Sequence, residues 1–191
     1  MMRLSSTLAL VAMLAACGGA PIPQTDNGQV TLPDSGSGDA KSSGGGWRFV
    51  PQDVAPQPGQ PRVHLQLVSI EGDRATLAVI VDNVAQIQGV AYRLSYNRER
   101  VSVADAVRGK VWQGAQVVDR FKQMPNGELW VGIGHVGVKT VPGGQGVTVS
   151  TISLDLIGDD PLPIHFQGAY SRVLTPEGVA DAVYAGGRFE K

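Results

Sequence analysis

Cysteine occurs once in this chain of 191 residues, at Cys17, so no intramolecular disulfide can hold the fold together. Neither sign of charge predominates: sixteen Lys and Arg stand against seventeen Asp and Glu. From 61 to 191 the two signs balance at thirteen each, which leaves no basic footprint of the kind nucleic-acid binding needs. Nucleic acid is therefore excluded as an expected partner. Long apolar runs are missing too. The run from Leu8 to Ala16 is far short of the ~20 residues that span a bilayer. Helical periodicity is also lacking, because every stretch of usable length is interrupted by glycine or proline.

Recognisable catalytic chemistry is equally scarce. Gly132, Gly134 and Gly137 spell G-x-G-x-x-G, but the dinucleotide fingerprint must open a helix whose N-terminus holds the pyrophosphate. Here Val138, Thr140, Val141 and Pro142 follow, and no helix starts on them. His64, His135 and His165 fall on three separate predicted strands, whereas zinc wants three or four convergent ligands. Asp159 and Asp160 precede Pro161 in a turn that lacks the further oxygen ligands calcium takes. No G-x-S-x-G elbow occurs. The expectation is a protein without cofactor or metal, and not an enzyme.

What the chain does contain begins at its N-terminus. Arg3 followed by the apolar run to Ala16 has the build of a secretory signal peptide. Leu14-Ala15-Ala16-Cys17 resembles the bacterial lipobox, which implies that Cys17 becomes the first mature residue and carries lipid. An ordinary secretory signal with an incidental cysteine is the alternative. Gly18 stands where an aspartate would retain an enterobacterial lipoprotein at the inner membrane, so the expected location is the cell envelope, lipid-anchored, at the outer membrane. From Gly18 to Gln60 there are nine Gly, six Pro and four Ser, too little apolar surface to offset ordering entropy. That segment reads as a linker reaching on the order of 35 Å. Trp47-Arg48-Phe49-Val50 is its exception, either an added edge strand or an exposed aromatic island. The expected division is signal peptide 1–16, linker 17–60 and folded domain 61–191.

From Pro61 the pattern changes to period 2. Val63, Leu65 and Leu67 alternate with polar residues up to Ile70, Glu71-Gly72-Asp73 turns the chain, and Arg74 to Asp82 returns as the second strand of a hairpin. Val90 to Tyr96 reads as a half-buried strand. Arg120 to Met124, Pro125-Asn126-Gly127 and Glu128 to Val136 form a second hairpin. Val147 to Ile157, Leu162 to Ala169 and Ala182 to Phe189 complete the strands. Short strands with frequent turns over about 130 residues make one all-β sandwich.

The order of these marks resembles a cohesin, the module that binds dockerins in cellulosomes. After the first hairpin, Asn83-Val84 leads through Ile87-Gln88-Gly89 into VAYRLSY. Next come the charged turn Asn97 to Arg100, Val101-Ser102-Val103, Gly109, the PNG hairpin and VTVSTISLDLIG after Gly146. The pair IHFQGAYSRVLTPEG and a last strand ending GGRF close the series. The resemblance implies a jelly-roll sandwich, related in architecture to carbohydrate-binding modules, that holds a dockerin-like protein partner through one sheet face. It places Gly89, Ala91, Arg93 and Ser95 outward on VAYRLSY, the first two where well-known cohesins carry polar or acidic residues. On the hairpin, ungapped matching turns Lys122, Met124, Val131, Ile133 and His135 outward. A one-residue slip would expose Trp130, Gly132 and Gly134 instead. The glycines in this strand then mark either room for a core residue, Trp112 or Trp130, or a place where a partner approaches. Two other functions fit the same architecture: binding polysaccharide on Trp47, Trp112 or Trp130, and a structural part of a secretion or surface apparatus.

Overall fold

The computed structural model describes residues 46–112, 116–159 and 161–191. Cys17 and the signal-peptide and lipobox readings lie outside the described residues.

Alternating apolar residues and glycine turns fold the chain into strands throughout. In order these are β1 (Arg48–Pro51), β2 (Arg62–Glu71), β3 (Arg74–Asp82), β4 (Val84–Ile87), β5 (Gly89–Tyr96) and β6 (Val101–Arg108). They continue with β7 (Val117–Met124), β8 (Glu128–His135), β9 (Val141–Gly144), β10 (Val147–Leu156) and β11 (Leu162–Phe166). The last are β12 (Arg172–Thr175), β13 (Gly178–Val179), β14 (Val183–Ala185) and β15 (Gly187–Glu190). Two single 3-10 turns, Lys110–Trp112 and Gly168–Tyr170, interrupt them.

Two sheets face each other as an all-β jelly-roll sandwich. One runs β14-β2-β3-β10-β6, and β4 with β9 forms a small separate pair. In the larger sheet β7 pairs β8 and β8 pairs β5. The other edge of β5 is shared between β11, opposite Leu94 to Tyr96, and β12, opposite Gly89 to Ala91. From β11 the sheet extends through β15 to β1. Side chains at every second position fill the space between, among them Leu65, Leu77, Val79, Ile87, Leu129, Ile152 and Ile164. Two tryptophans anchor this core. Trp112 donates Nε1–H to the Val149 carbonyl at 2.9 Å, and Trp47 donates its own to Asp73 Oδ1 at 3.0 Å.

The docking of Trp47 corrects the domain boundary at Pro61. Trp47 is only 1% exposed, and β1 pairs with β15 in register from Arg48–Glu190 to Pro51–Gly187. Of the two readings of the Trp47 to Val50 island, the edge strand is the one the fold adopts. The terminal segment Ala182 to Phe189 is also corrected, from one strand to two in different sheets. β14 runs parallel to β2, whereas β15 pairs with β11 and β1. The switch occurs at Gly186, where a Cβ would sit 2.2 Å from the Ile164 carbonyl oxygen, so a side chain cannot be accommodated there.

Candidate functional site

The outer face of the larger sheet is set by cross-strand register. In one row Arg120 of β7 lies opposite Gly132 of β8, Gly132 opposite Ala91 of β5, and Ala91 opposite Arg172 of β12. The next row holds Lys122, Trp130 and Arg93, and the one beyond it Met124, Glu128, Ser95 and His165. On the opposite side of the Ala91 row lie Val118, Gly134, Gly89 and Leu174.

This register reverses part of the expected face. Val131 and Ile133 are 5% and 2% exposed and point into the core, so neither can meet a partner. His135 shares their parity and sets its ring 5.5 Å from that of Trp112, half-buried. The physical reason is burial: Leu129, Val131 and Ile133 are the apolar set of β8, and only one register puts all three inside. Gly89 has the outward parity, but it is buried and a Cβ on it would meet Leu174 Cδ1 at 3.4 Å. Ala91, Arg93, Lys122 and Met124 do lie on the outer face, as do Trp130, Gly132 and Gly134. A Cβ on Gly132 would have nothing within 4 Å, so this glycine makes room for no core residue.

Around Ala91 and Gly132 the face sinks into a hollow of about 430 Å³, walled by Arg93, Arg120, Lys122, Trp130 and Tyr170. It exists because its floor has almost no side chains while the flanking rows have long ones. β7 and β12 stand three strand spacings apart, about 14 Å, against a helix diameter of about 10–12 Å.

One end of the hollow is closed by a stack. The guanidinium carbon of Arg93 lies 3.8 Å from the Trp130 ring centroid and 4.0 Å from that of Tyr170. Trp130 comes from β8 on one side of β5, and Tyr170 from the 3-10 turn on the other. Each ring face is electron-rich, so both attract the cation. The stack is itself held in place. Glu128 accepts Trp130 Nε1–H at 2.6 Å and Gln167 Nε2–H at 2.7 Å. These two hydrogen bonds, that from Trp130 first, hold its carboxyl below the usual glutamate range. The turn bearing Tyr170 is tied to β5 through Gln167 N–H, which donates to the Arg93 carbonyl at 2.8 Å. Arg172 Nη1 donates to the carbonyls of Gly168 and Ser171, and its Nη2 to that of Ala169 at 2.9 Å.

Charge is therefore segregated on a domain that is neutral as a whole. Arg93, Arg120, Lys122 and Arg172 share this end of the face with a single carboxylate of the same rows, Glu128. Among the described residues neither Arg120 nor Lys122 forms an ion pair, and the Arg93 guanidinium makes no hydrogen bond. His64, His135 and His165 stay apart, and no group of three His, Cys, Asp or Glu side chains is placed to hold a metal among the described residues. No described helix is long and apolar enough to cross a membrane.

No protein-family model matches the chain, and no curated protein matches it in sequence. Solved structures do match. The sixth cohesin of scaffoldin B from Acetivibrio cellulolyticus, solved with a Cel5 dockerin, superimposes with a TM-score of 0.56 at 11% identity. The match covers 66% of this chain and 96% of that one. This is a cohesin fold. The cohesin of a type I cohesin–dockerin complex from Clostridium thermocellum gives 0.56 at 13% identity, over 68% of this chain and 96% of the other. A non-cellulosomal cohesin from the archaeon Archaeoglobus fulgidus gives 0.52 at 16%, over 67% and 88%. At such identities the cohesin likeness speaks for architecture, and the chemistry of the face has to be argued from this chain's own residues.

Sequence reasoning placed Ala91, Arg93, Lys122 and Met124 outward, named Trp130 only under a one-residue slip or as a sugar-binding aromatic, and missed Arg120, Tyr170 and Arg172. Arg120 was legible by period 2 from Lys122, and Trp130 from the Leu129-Val131-Ile133 alternation. Tyr170 and Arg172 carried no such signal, because Leu162 to Ala169 reads as one strand and the 3-10 turn after Phe166 breaks it.

Proposed function

We propose that this protein is a non-enzymatic binding module of the bacterial cell envelope, tethered by lipid on Cys17, that holds a dockerin-like protein partner by laying one of its helices on the outer face of β7, β8, β5 and β12. The observation that carries the reading is the hollow floored by Ala91 and Gly132. The strands bordering it, β7 and β12, lie about 14 Å apart, room for a helix of about 10–12 Å, and at Gly132 the floor is open. The cohesins it resembles in fold, two of them solved with dockerins, support a protein as the partner. Polysaccharide binding has less behind it: Trp47 and Trp112 are core residues, and Arg93 covers a face of Trp130.

The test is capture of a discrete protein by the full chain, compared across variants of the face. Arg120→Glu combined with Lys122→Glu should abolish capture while leaving the melting temperature within the small change expected of surface substitutions. Capture that survives this double variant places the binding surface elsewhere. Retention on insoluble polysaccharide that disappears in Trp130→Ala would favour a carbohydrate ligand instead.

A further inference from the structure

The three cations around the hollow differ in how they are held. Arg120 and Lys122 project, exposed, from β7, an edge strand. Arg93 sits on β5, and the two rings close to its guanidinium carbon restrict where that group can lie. The rings contact the cation without accepting hydrogen bonds from its N–H groups, which lie in the guanidinium plane and stay available to an acceptor. A side chain confined in this way loses less entropy on pairing than a free arginine would. The nearest carboxylate on the face, Glu128, is already engaged by Trp130 Nε1 and Gln167 Nε2. The chain thus sets a guanidinium beside two rings and two exposed cations; Glu128 feels Arg93 as a nearby charge, but among the described residues none of the three cations forms a hydrogen bond or ion pair with a carboxylate.

We propose that the closed end of the hollow is a carboxylate subsite: Arg93 pairs with an aspartate or glutamate on the partner's helix, and Arg120 and Lys122 close on the same acidic turn. The inference rests on the helix-docking reading above and adds to it which chemistry the docked helix must carry and where. Carboxylate and guanidinium match as a two-pronged pair, which explains an arginine rather than a lysine between the rings. The polarity of the trough gives the helix a register. Its acidic turn lies at the Arg93 end, and its small or apolar turns lie over Gly132 and Gly134 towards the exposed Val118 and Leu174.

The probes are three synthetic helical peptides of about 15 residues, long enough to hold helical structure, on one alanine–leucine frame. They carry either two glutamates, two glutamines or two lysines four residues apart on the apolar stripe. Each is titrated into the 15N-labelled full chain. The glutamate peptide should shift the amides of Ala91 and Gly132 together with the Arg93 Nε–H and Trp130 Nε1–H signals. It should bind about tenfold or more tightly than the glutamine peptide, with the margin shrinking as salt rises. Arg93→Gln should remove the glutamate preference, and Arg93→Lys should restore only part of it. Should Arg93→Gln fail to fold, Arg120→Gln with Lys122→Gln on the exposed edge strand carries the test, and the preference should fall there too. Equal affinity of the glutamate and glutamine peptides at this face overturns the carboxylate subsite and leaves helix docking standing. A glutamate preference that persists in the triple Arg93→Gln, Arg120→Gln, Lys122→Gln variant overturns it as well. If no peptide moves any signal on the face, helix docking fails and the subsite with it.

Discussion

Gly132→Val should stabilise the fold and damage binding at the same time. Gly132 has an ordinary extended backbone in the middle of β8, so a side chain meets no conformational penalty there. A Cβ would find nothing within 4 Å. Glycine inside a strand costs about 0.5–1 kcal/mol relative to alanine, and β-branched residues lie at the favourable end of a scale spanning ~1 kcal/mol. Stability should therefore rise by roughly 0.5–1 kcal/mol, read as a higher urea midpoint with an unchanged slope. The same three carbons stand on the floor of the hollow, beside Ala91, where the docked helix would have to lie. A flat contact disrupted at its centre commonly loses 2 kcal/mol or more, about thirtyfold in affinity. Denaturation and titration of the same variant separate the two effects. A loss of stability beyond ~1 kcal/mol would show that something covers Gly132. Unchanged affinity alongside the gain in stability would remove the hollow from the binding surface.

Trp47→Ala should cost about 3–5 kcal/mol, since it empties a fully buried site and deletes the bond to Asp73, lowering the melting temperature by roughly 6–20 °C. A change under ~0.5 kcal/mol would mean the β1 segment is dispensable. His64 gives a pH dependence: burial lowers its pKa from 6.5, outweighing the nearby Asp82 carboxylate, so the fold prefers the neutral ring. The unfolded chain then binds the proton more readily, and this contribution is complete above pH ~6.5 and lost as pH falls below it. Denaturant melts from pH 7 to 5 should show a steeper decline in the parent than in His64→Gln; identical slopes would refute the assignment. Cys17→Ser should move the protein from the membrane to the soluble fraction, because the acyl chains are its only proposed hold on the bilayer. Its melting curve should stay within ~0.5 kcal/mol of the parent, and a variant that remains membrane-bound would end the lipobox reading.

The sequence by itself determined the class of fold and much of its strand list. β2 and β3 turn at Gly72 where Glu71-Gly72-Asp73 predicts it, and β5, β10 and the β7–β8 hairpin lie where period 2 places them. These features are local: alternation and turn chemistry are written within a few residues. Which way β8 faces was also written locally, in Leu129, Val131 and Ile133, and ungapped matching to a distant fold obscured it. The rest depended on burial between elements far apart in the chain. β1 joins the sandwich because Phe49 and Trp47 find β15 and Asp73. The chain crosses between sheets at Gly186 because Ile164 leaves no room for a side chain. The site shows the same division most clearly. Arg93 is legible as an outward residue of a strand, but its two aromatic partners lie thirty-seven and seventy-seven residues further along the chain. Only the register of β8 against β5, and the 3-10 turn hydrogen-bonded to Arg93's own carbonyl, bring Trp130 and Tyr170 to either side of it. Side-chain direction follows from sequence parity, whereas partnership across strands is decided by the packing energy of the whole sheet.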